Sequence, residues 1–111
     1  MTKVLLSPAA RDDLYRIDDY TLERFGLRQA RRALGIIEEA FQMLAAFPAS
    51  APHRPEFDPP GRRFRYRSVL RSLLIVYEVS QDSIRVARIL DARQGDLRGL
   101  LQDETGGAAD A

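Results

Sequence analysis

The stretch Gly61–Asp91, GRRFRYRSVLRSLLIVYEVSQDSIRVARILD, decides the fold of this chain. It opens on Arg62, Arg63, Arg65, Arg67 and Arg71 and meets no acid until Glu78. LLIVYEV follows, then a polar break at Ser80–Ser83, then a second apolar run, IRVARIL. Alternation of this kind predicts strands over roughly Arg62–Val69, Ser72–Val79 and Ser83–Leu90, with hairpins at the breaks. Residues two apart on a strand share a face, so Arg63, Arg65 and Arg67 are expected to form one basic row, about 6–7 Å between neighbours. Phe64 and Tyr66 then point the other way. Folding does not require a row of charges on the open face of a sheet, so the row is a candidate binding surface.

Upstream, Val4-Leu5-Leu6 is a short apolar run expected to pair with the sheet. Ser7-Pro8 signals a helix start, because Ser caps free N–H groups and Pro at the first helical position gives up an N–H that has no partner. Ala10, Leu14, Ile17, Thr21 and Phe25 continue as an apolar stripe, Asp12 and Asp13 are placed in the first turn, and Gly26 ends the helix. A second helix is expected over Leu27–Phe47, with Ala30, Ala33, Leu34, Ile37, Phe41 and Leu44 as its core stripe and Pro48 as its stop. Ile36, Ala40 and Met43 widen its apolar surface, either as further contact with the sheet or as a groove for a partner. Pro48–Gly61 holds five of the six prolines and reads as a loop.

Downstream, a short helix is expected over Gln94–Leu101. The reading is a single domain over residues 1–101 and a disordered tail over 102–111, ending in TGGAADA. The fold class is α+β in the order β-α-α-β-β-β: a helical hairpin packed on one face of a small antiparallel sheet, the other face partly open, and a short C-terminal helix.

At 111 residues the chain suits one core. Its 17 basic and 16 acidic side chains nearly cancel, but many acids lie in the first forty residues whereas Gly61–Tyr77 is purely basic. All basic residues except Lys3 are arginine, as GC-rich coding would give, and arginine's planar fork favours carboxylate and phosphate partners. Cysteine is absent, which excludes disulfides and thiolate metal sites and fits a reducing cytoplasm. No apolar run approaches the ~20 residues of a membrane span, and MTKVLLSPAARDD lacks the pattern of a signal peptide.

The single histidine, His53, has no clustered ligands, so no metal site is expected, and no Gly-rich phosphate loop or cofactor motif is present. No serine has His and acid partners arranged around it. The pairs Asp12-Asp13 and Asp18-Asp19 read as a solvated helix face, and Tyr77 as a core tyrosine. The arginines carry what chemistry there is. Arg65, Arg67 and Arg93 could surround a phosphodiester, hold acidic groups of a protein partner, or guard a solvated sheet edge against aggregation.

SPAARDDLYRIDDYTLERFG, a second helix ending at FP, then RRFRYRS, LLIVYEV and RILDARQGDL together resemble the ParE branch of the ParE/RelE toxin superfamily over residues 3 to about 101. The SPAA helix start, the LIVYEV strand and the RILDARQ ending are the most specific pieces. The resemblance implies the toxin of a type II toxin–antitoxin pair, acting in the cytoplasm in growth regulation or plasmid stabilisation. Its ParD-like antitoxin would carry the DNA-binding head and a disordered tail that folds across the toxin, which itself reads no DNA sequence.

ParE-type toxins are held to poison DNA gyrase, whereas RelE-type toxins cut messenger RNA on the ribosome. Two strand cations of the RelE-type site match Arg65 and Arg67, and the one after the last strand matches Arg93. A further arginine falls on Leu74, the C-terminal tyrosine falls near Gly99, and a histidine–tyrosine ending falls near Asp91-Ala92. Loss of a catalytic acid or base alone costs ~10²–10⁴-fold in rate. The resemblance therefore implies a gyrase inhibitor that is not an enzyme. Arg63, Arg65, Arg67, Ile36 and Met43 are its antitoxin-binding candidates, and Arg88, Arg93 and Gln94 its target-binding candidates. A ribosome-dependent endonuclease, or a non-toxic relic that only binds its antitoxin, are the alternatives.

Overall fold

Ser7 and Pro8 fix where the first helix begins. The Ser7 hydroxyl accepts the Ala10 N–H at 2.9 Å and donates to the Ala87 carbonyl at 2.7 Å. One buried side chain thus caps the helix and ties it to the last strand. The structure is a computed structural model and describes residues 2–104. Its elements are β1 (Lys3–Leu6), α1 (Pro8–Phe25), α2 (Leu27–Ala46), β2 (Arg65–Val69), β3 (Leu73–Val79), β4 (Ser83–Asp91) and α3 (Leu97–Leu100). This is the expected α+β order. Short 3-10 turns span Pro55–Phe57, Ala92–Gln94 and Gln102–Glu104. Of the expected tail, Gln102–Glu104 forms the last of these turns, and residues 105–111 lie outside the described residues. Gly26, at φ +90°, makes the reversal between α1 and α2 in a region that side-chain-bearing residues rarely enter.

The strands lie in the order β1-β4-β3-β2. β2, β3 and β4 pair antiparallel as expected, but β1 runs parallel to β4, with Lys3 opposite Ser83 and Leu6 opposite Val86, so the sheet is mixed. Parallel neighbours need a long connection, and the helical hairpin, the Pro-rich loop and the β2–β3 hairpin supply it. Between Val76 and Tyr77 the register shifts: Val76 faces Arg88 and Tyr77 faces Val86, leaving Ala87 as a bulge. The bulge resets the alternation of β4. Ile84, Val86 and Ile89 thereby join one core while Ala87 and Leu90 join another.

The first core lies under the helices, where Ala10, Ile37, Phe41 and Leu44 meet Ile75, Tyr77 and the β4 residues. Tyr77 is fully buried, as expected, and its hydroxyl donates to the Pro48 carbonyl at 2.7 Å; burial pushes its pKa up. The second core occupies the face expected to be partly open. Phe64, Tyr66, Leu74, Val76, Ala87 and Leu90 are covered there by Leu97 and Leu101 of the C-terminal segment and by Phe57. Leu101 is 0% exposed, because a sheet face this apolar is stable only when covered. Two further expectations change. Phe25 ends the predicted core stripe but stands 62% exposed at the helix terminus. Asp12 and Asp13 fall in the second turn of α1, and Asp13 is not solvated but 4% exposed.

Candidate functional site

β1 stops at Leu6 while β4 continues to Asp91, so part of the β4 edge has no strand beside it. Asp13 fills that gap. Its carboxylate accepts the Ile89 N–H at 2.8 Å and two bonds from Arg88, Nε at 2.8 Å and Nη2 at 2.9 Å. Arg16 donates to the same carboxylate at 2.6 Å, and Arg88 Nη1 reaches the Leu100 carbonyl at 3.0 Å. Asp13 holds the Arg88 guanidinium further above its ordinary pKa, burial opposing. Arg88, a target-binding candidate, is therefore an internal cross-brace between α1, β4 and the C-terminal segment.

Beside this brace a groove of about 700 Å³ opens between α1 and the end of β4. Ile17, Ala33, Leu73 and Ile89 are among its apolar lining residues, Tyr20, Phe25 and Leu70 add aromatic and apolar surface, and Arg16, Arg93 and Gln94 bring polar groups. Arg88 also reaches its wall, so the groove brings together all three target-binding candidates, Arg88, Arg93 and Gln94. Arg93 chelates Asp91, Nε to Oδ1 at 3.1 Å and Nη2 to Oδ2 at 2.8 Å. That contact, with further bonds from the Arg93 backbone and the Ser72 side chain, holds the Asp91 carboxyl below the usual range. The Ala92 N–H also donates to the Ser72 carbonyl at 2.6 Å, tying the end of β4 to the β2–β3 turn. In that turn Leu70 (φ +48°) and Arg71 (φ +67°) are both left-handed, a costly conformation for residues with a Cβ.

A smaller cleft of about 290 Å³ lies between α2 and β2. Ile36, Met43 and Arg67 line it with Glu39, Ala40 and Val69, so three antitoxin-binding candidates meet there. Met43 and Phe47, one helical turn apart, are 49% and 59% exposed. The basic row does not form on an open face. Arg65 and Arg67 stand opposite Tyr77 and Ile75, on the helix side, at the outer edge of the sheet. Arg63 precedes the strand and is exposed. Arg65 donates to the Ala49 and Ala51 carbonyls at 3.2 and 2.7 Å, pinning the Pro-rich loop, whereas Arg67 makes no ion pair or hydrogen bond among the described residues.

Arg62, also in the basic run, bonds Glu78 at 2.9 Å and the Glu104 carbonyl at 3.0 Å, clasping the C-terminal segment. His53 sits against the Phe64 carbonyl at 3.1 Å. Leu74 is a second-core side chain at 8% exposure, and the Gly99 N–H donates to Asp96, the residue that caps the start of α3. Asp13, Tyr20, Phe25 and Leu70 had no place in the sequence-derived site. For Asp13 a signal existed: three residues after Ala10 and four before Ile17, it lies on the buried stripe itself.

No curated protein sequence matches the chain. Among solved structures it is similar to a chain of the chromosomal ParDE toxin–antitoxin system from P. aeruginosa, with a TM-score of 0.68 and 24% identity, over 82% of this chain and 96% of that one. A conserved hypothetical protein from Helicobacter pylori aligns with a TM-score of 0.40 and 18% identity, over 84% of this chain and 97% of that one. No helix among the described residues is long and apolar enough to cross a membrane. Residues 4–95 match the ParE toxin of the type II toxin–antitoxin system parDE, so the chain belongs to the ParE toxin family.

Proposed function

We propose that this toxin inhibits DNA gyrase in the cytoplasm without cutting RNA, and that a ParD-like antitoxin neutralises it by laying an acidic, apolar-studded tail along α2. The observation that carries the partner reading is the cleft beside β2, where Ile36 and Met43 stand next to Arg67, which is unpaired among the described residues. An apolar stripe flanked by an uncommitted guanidinium suits a helix or strand that brings both apolar anchors and a carboxylate. Arg63 lies near enough in sequence to extend the basic margin, and Arg65 adds charge there while bracing the loop. The similarity to a chain from a ParDE system supports the same partner class.

The target reading rests on Leu74. Where a RelE-type site carries an arginine, this chain has a leucine packed among Phe64, Tyr66 and Val76. An arginine there would need a paired, hydrogen-bonded setting that this apolar core does not offer. Purified toxin is expected to inhibit supercoiling by gyrase, or trap its cleaved complex, and to leave message intact on translating ribosomes. Ribosome-dependent cleavage with unaffected gyrase would reverse the assignment. For the partner, titration of the antitoxin against the Arg65→Glu/Arg67→Glu variant is expected to show weaker binding, chiefly through faster dissociation.

A further inference from the structure

The larger groove lies apart from the α2 cleft, and none of its lining residues belongs to that cleft. Three independent features converge on it. Its volume, about 700 Å³, falls in the range of sites that take a side-chain cluster or small ligand. Leu70, from the left-handed Leu70-Arg71 turn, lines it, and backbone strain of this kind persists where the surroundings enforce it, often at binding sites. Arg16 and Arg93 are 68% and 72% exposed. Each is only partly committed: Arg16 uses one nitrogen on Asp13, and Arg93 uses two on Asp91.

The charges select the kind of occupant. Arg16, Arg88 and Arg93 share the lining with Asp13 and Asp91, so the groove is nearly balanced and two carboxylates would face a polyphosphate backbone. Nucleic acid recognition needs an excess of uncompensated cations. A single partner carboxylate needs only the spare donors of Arg93 or Arg16. Between them, Phe25, Leu70 and Ile17 offer an apolar seat for one bulky side chain.

We propose that the groove between α1 and the end of β4 takes an acidic peptide segment with a bulky apolar anchor, contributed by the toxin's target protein. The anchor sits against Phe25 and Leu70, and the acid is held by Arg93 and Arg16. This rests on the reading above that the target is a protein, and it adds where that target is gripped and by what chemistry. Because the groove and the α2 cleft are lined by different residues, damage to one is expected to leave binding at the other intact.

Fluorescence anisotropy with the full chain tests this directly. The probe is a labelled, end-blocked decapeptide with paired Glu and Asp around Phe-Leu. Its controls carry Gln and Asn for the acids, or Ser for Phe-Leu, and a ten-nucleotide uridylate serves as the nucleic acid control. The acidic, apolar peptide is expected to bind about tenfold tighter than either peptide control, the scale of one charge-assisted bond or one buried anchor. Arg93→Gln and Arg16→Glu/Arg93→Glu are expected to abolish that preference, with melting temperature as the check on folding and antitoxin affinity unchanged. In cells, the same variants are expected to lose growth arrest.

No preference among the peptides, tighter binding of the uridylate, or full growth arrest by a folded Arg16→Glu/Arg93→Glu chain would each overturn the proposal. If wild-type toxin leaves gyrase untouched, the gyrase reading fails alone, because the peptide and growth measurements do not depend on which protein is the target.

Discussion

Asp13 and Arg88 form a two-pronged ion pair, at 2.8 and 2.9 Å, that joins the first helix to the last strand where β1 ends. The pair exists because β4 outruns its neighbour. Without Asp13 the Ile89 N–H would be buried and unpaired, and the Arg88 charge would sit uncompensated at 15% exposure. Removing one member of such a pair costs ~3–5 kcal/mol, much of it the penalty on the charge left behind.

Asp13→Ala is accordingly expected to lower unfolding free energy by about 3–5 kcal/mol in urea denaturation. The double variant Asp13→Leu/Arg88→Met should lose less than the sum of the single changes, since it leaves no orphan charge. Additive losses would show that the two groups act independently.

Asp91 predicts an acid-side pH dependence. Arg93 lowers the Asp91 carboxyl pKa in the folded state, so the stabilisation is fully present above the ordinary carboxylate range. It is lost as pH falls through the lowered folded value. Carboxyl NMR titration is expected to place Asp91 below the ordinary range in the wild type and closer to it in Arg93→Ala. An unchanged midpoint in the variant would remove Arg93 as the cause.

The left-handed turn makes a prediction of opposite sign. Arg71 is exposed at φ +67°, so Arg71→Gly relieves strain without removing a packed side chain. Left-handed backbone costs a Cβ-bearing residue ~1–2 kcal/mol, and glycine gives back ~0.5–1 kcal/mol in chain entropy. A net gain of about 0.5–1 kcal/mol is expected by thermal or chemical unfolding. A loss would mean that Arg71 makes a contact worth more than the strain.

At the α2 cleft, Met43→Asp is expected to fold normally, because Met43 is half exposed, and to weaken antitoxin binding about 30-fold or more. Calorimetry against the antitoxin checks the affinity, and circular dichroism checks the fold. Wild-type affinity would move the antitoxin contact away from this cleft.

The C-terminal segment is core, not trimming. Leu101 is fully buried against the second face of the sheet, so Leu101→Ala is expected to cost about 2–5 kcal/mol on denaturation. A cost under ~0.5 kcal/mol, the ordinary surface value, would show that the segment lies loosely on the sheet.

The elements themselves were legible. Ser7-Pro8, Gly26 and Pro48 punctuate the helices where local chemistry says they should, and LLIVYEV could hardly be anything but a buried strand. The candidate site was legible only in pieces. Ile36, Met43 and Arg67 do share a cleft, and Arg93 and Gln94 share a groove. Arg88 lines the same groove but is committed to an internal brace, which Asp13, expected on a solvated helix face, completes. The Ala87 bulge lies behind part of this, since one extra residue changes which side chains share a face and no sequence period announces it.

The sequence by itself determined the order and kind of elements, the two apolar patterns that build the cores, and the likeness to the ParE family, because caps, breakers and periodicity are local properties. Only the tertiary structure decided that β1 lies parallel to β4, that the C-terminal segment covers the second face, and which arginines remain free. Gly61–Asp91 carries seven of the arginines, yet Arg62 clasps Glu78, Arg65 holds the loop, Arg88 pairs with Asp13 and Arg67 stands unpaired among the described residues. Partners far apart in the chain set those roles, and their distances exist only once it has folded.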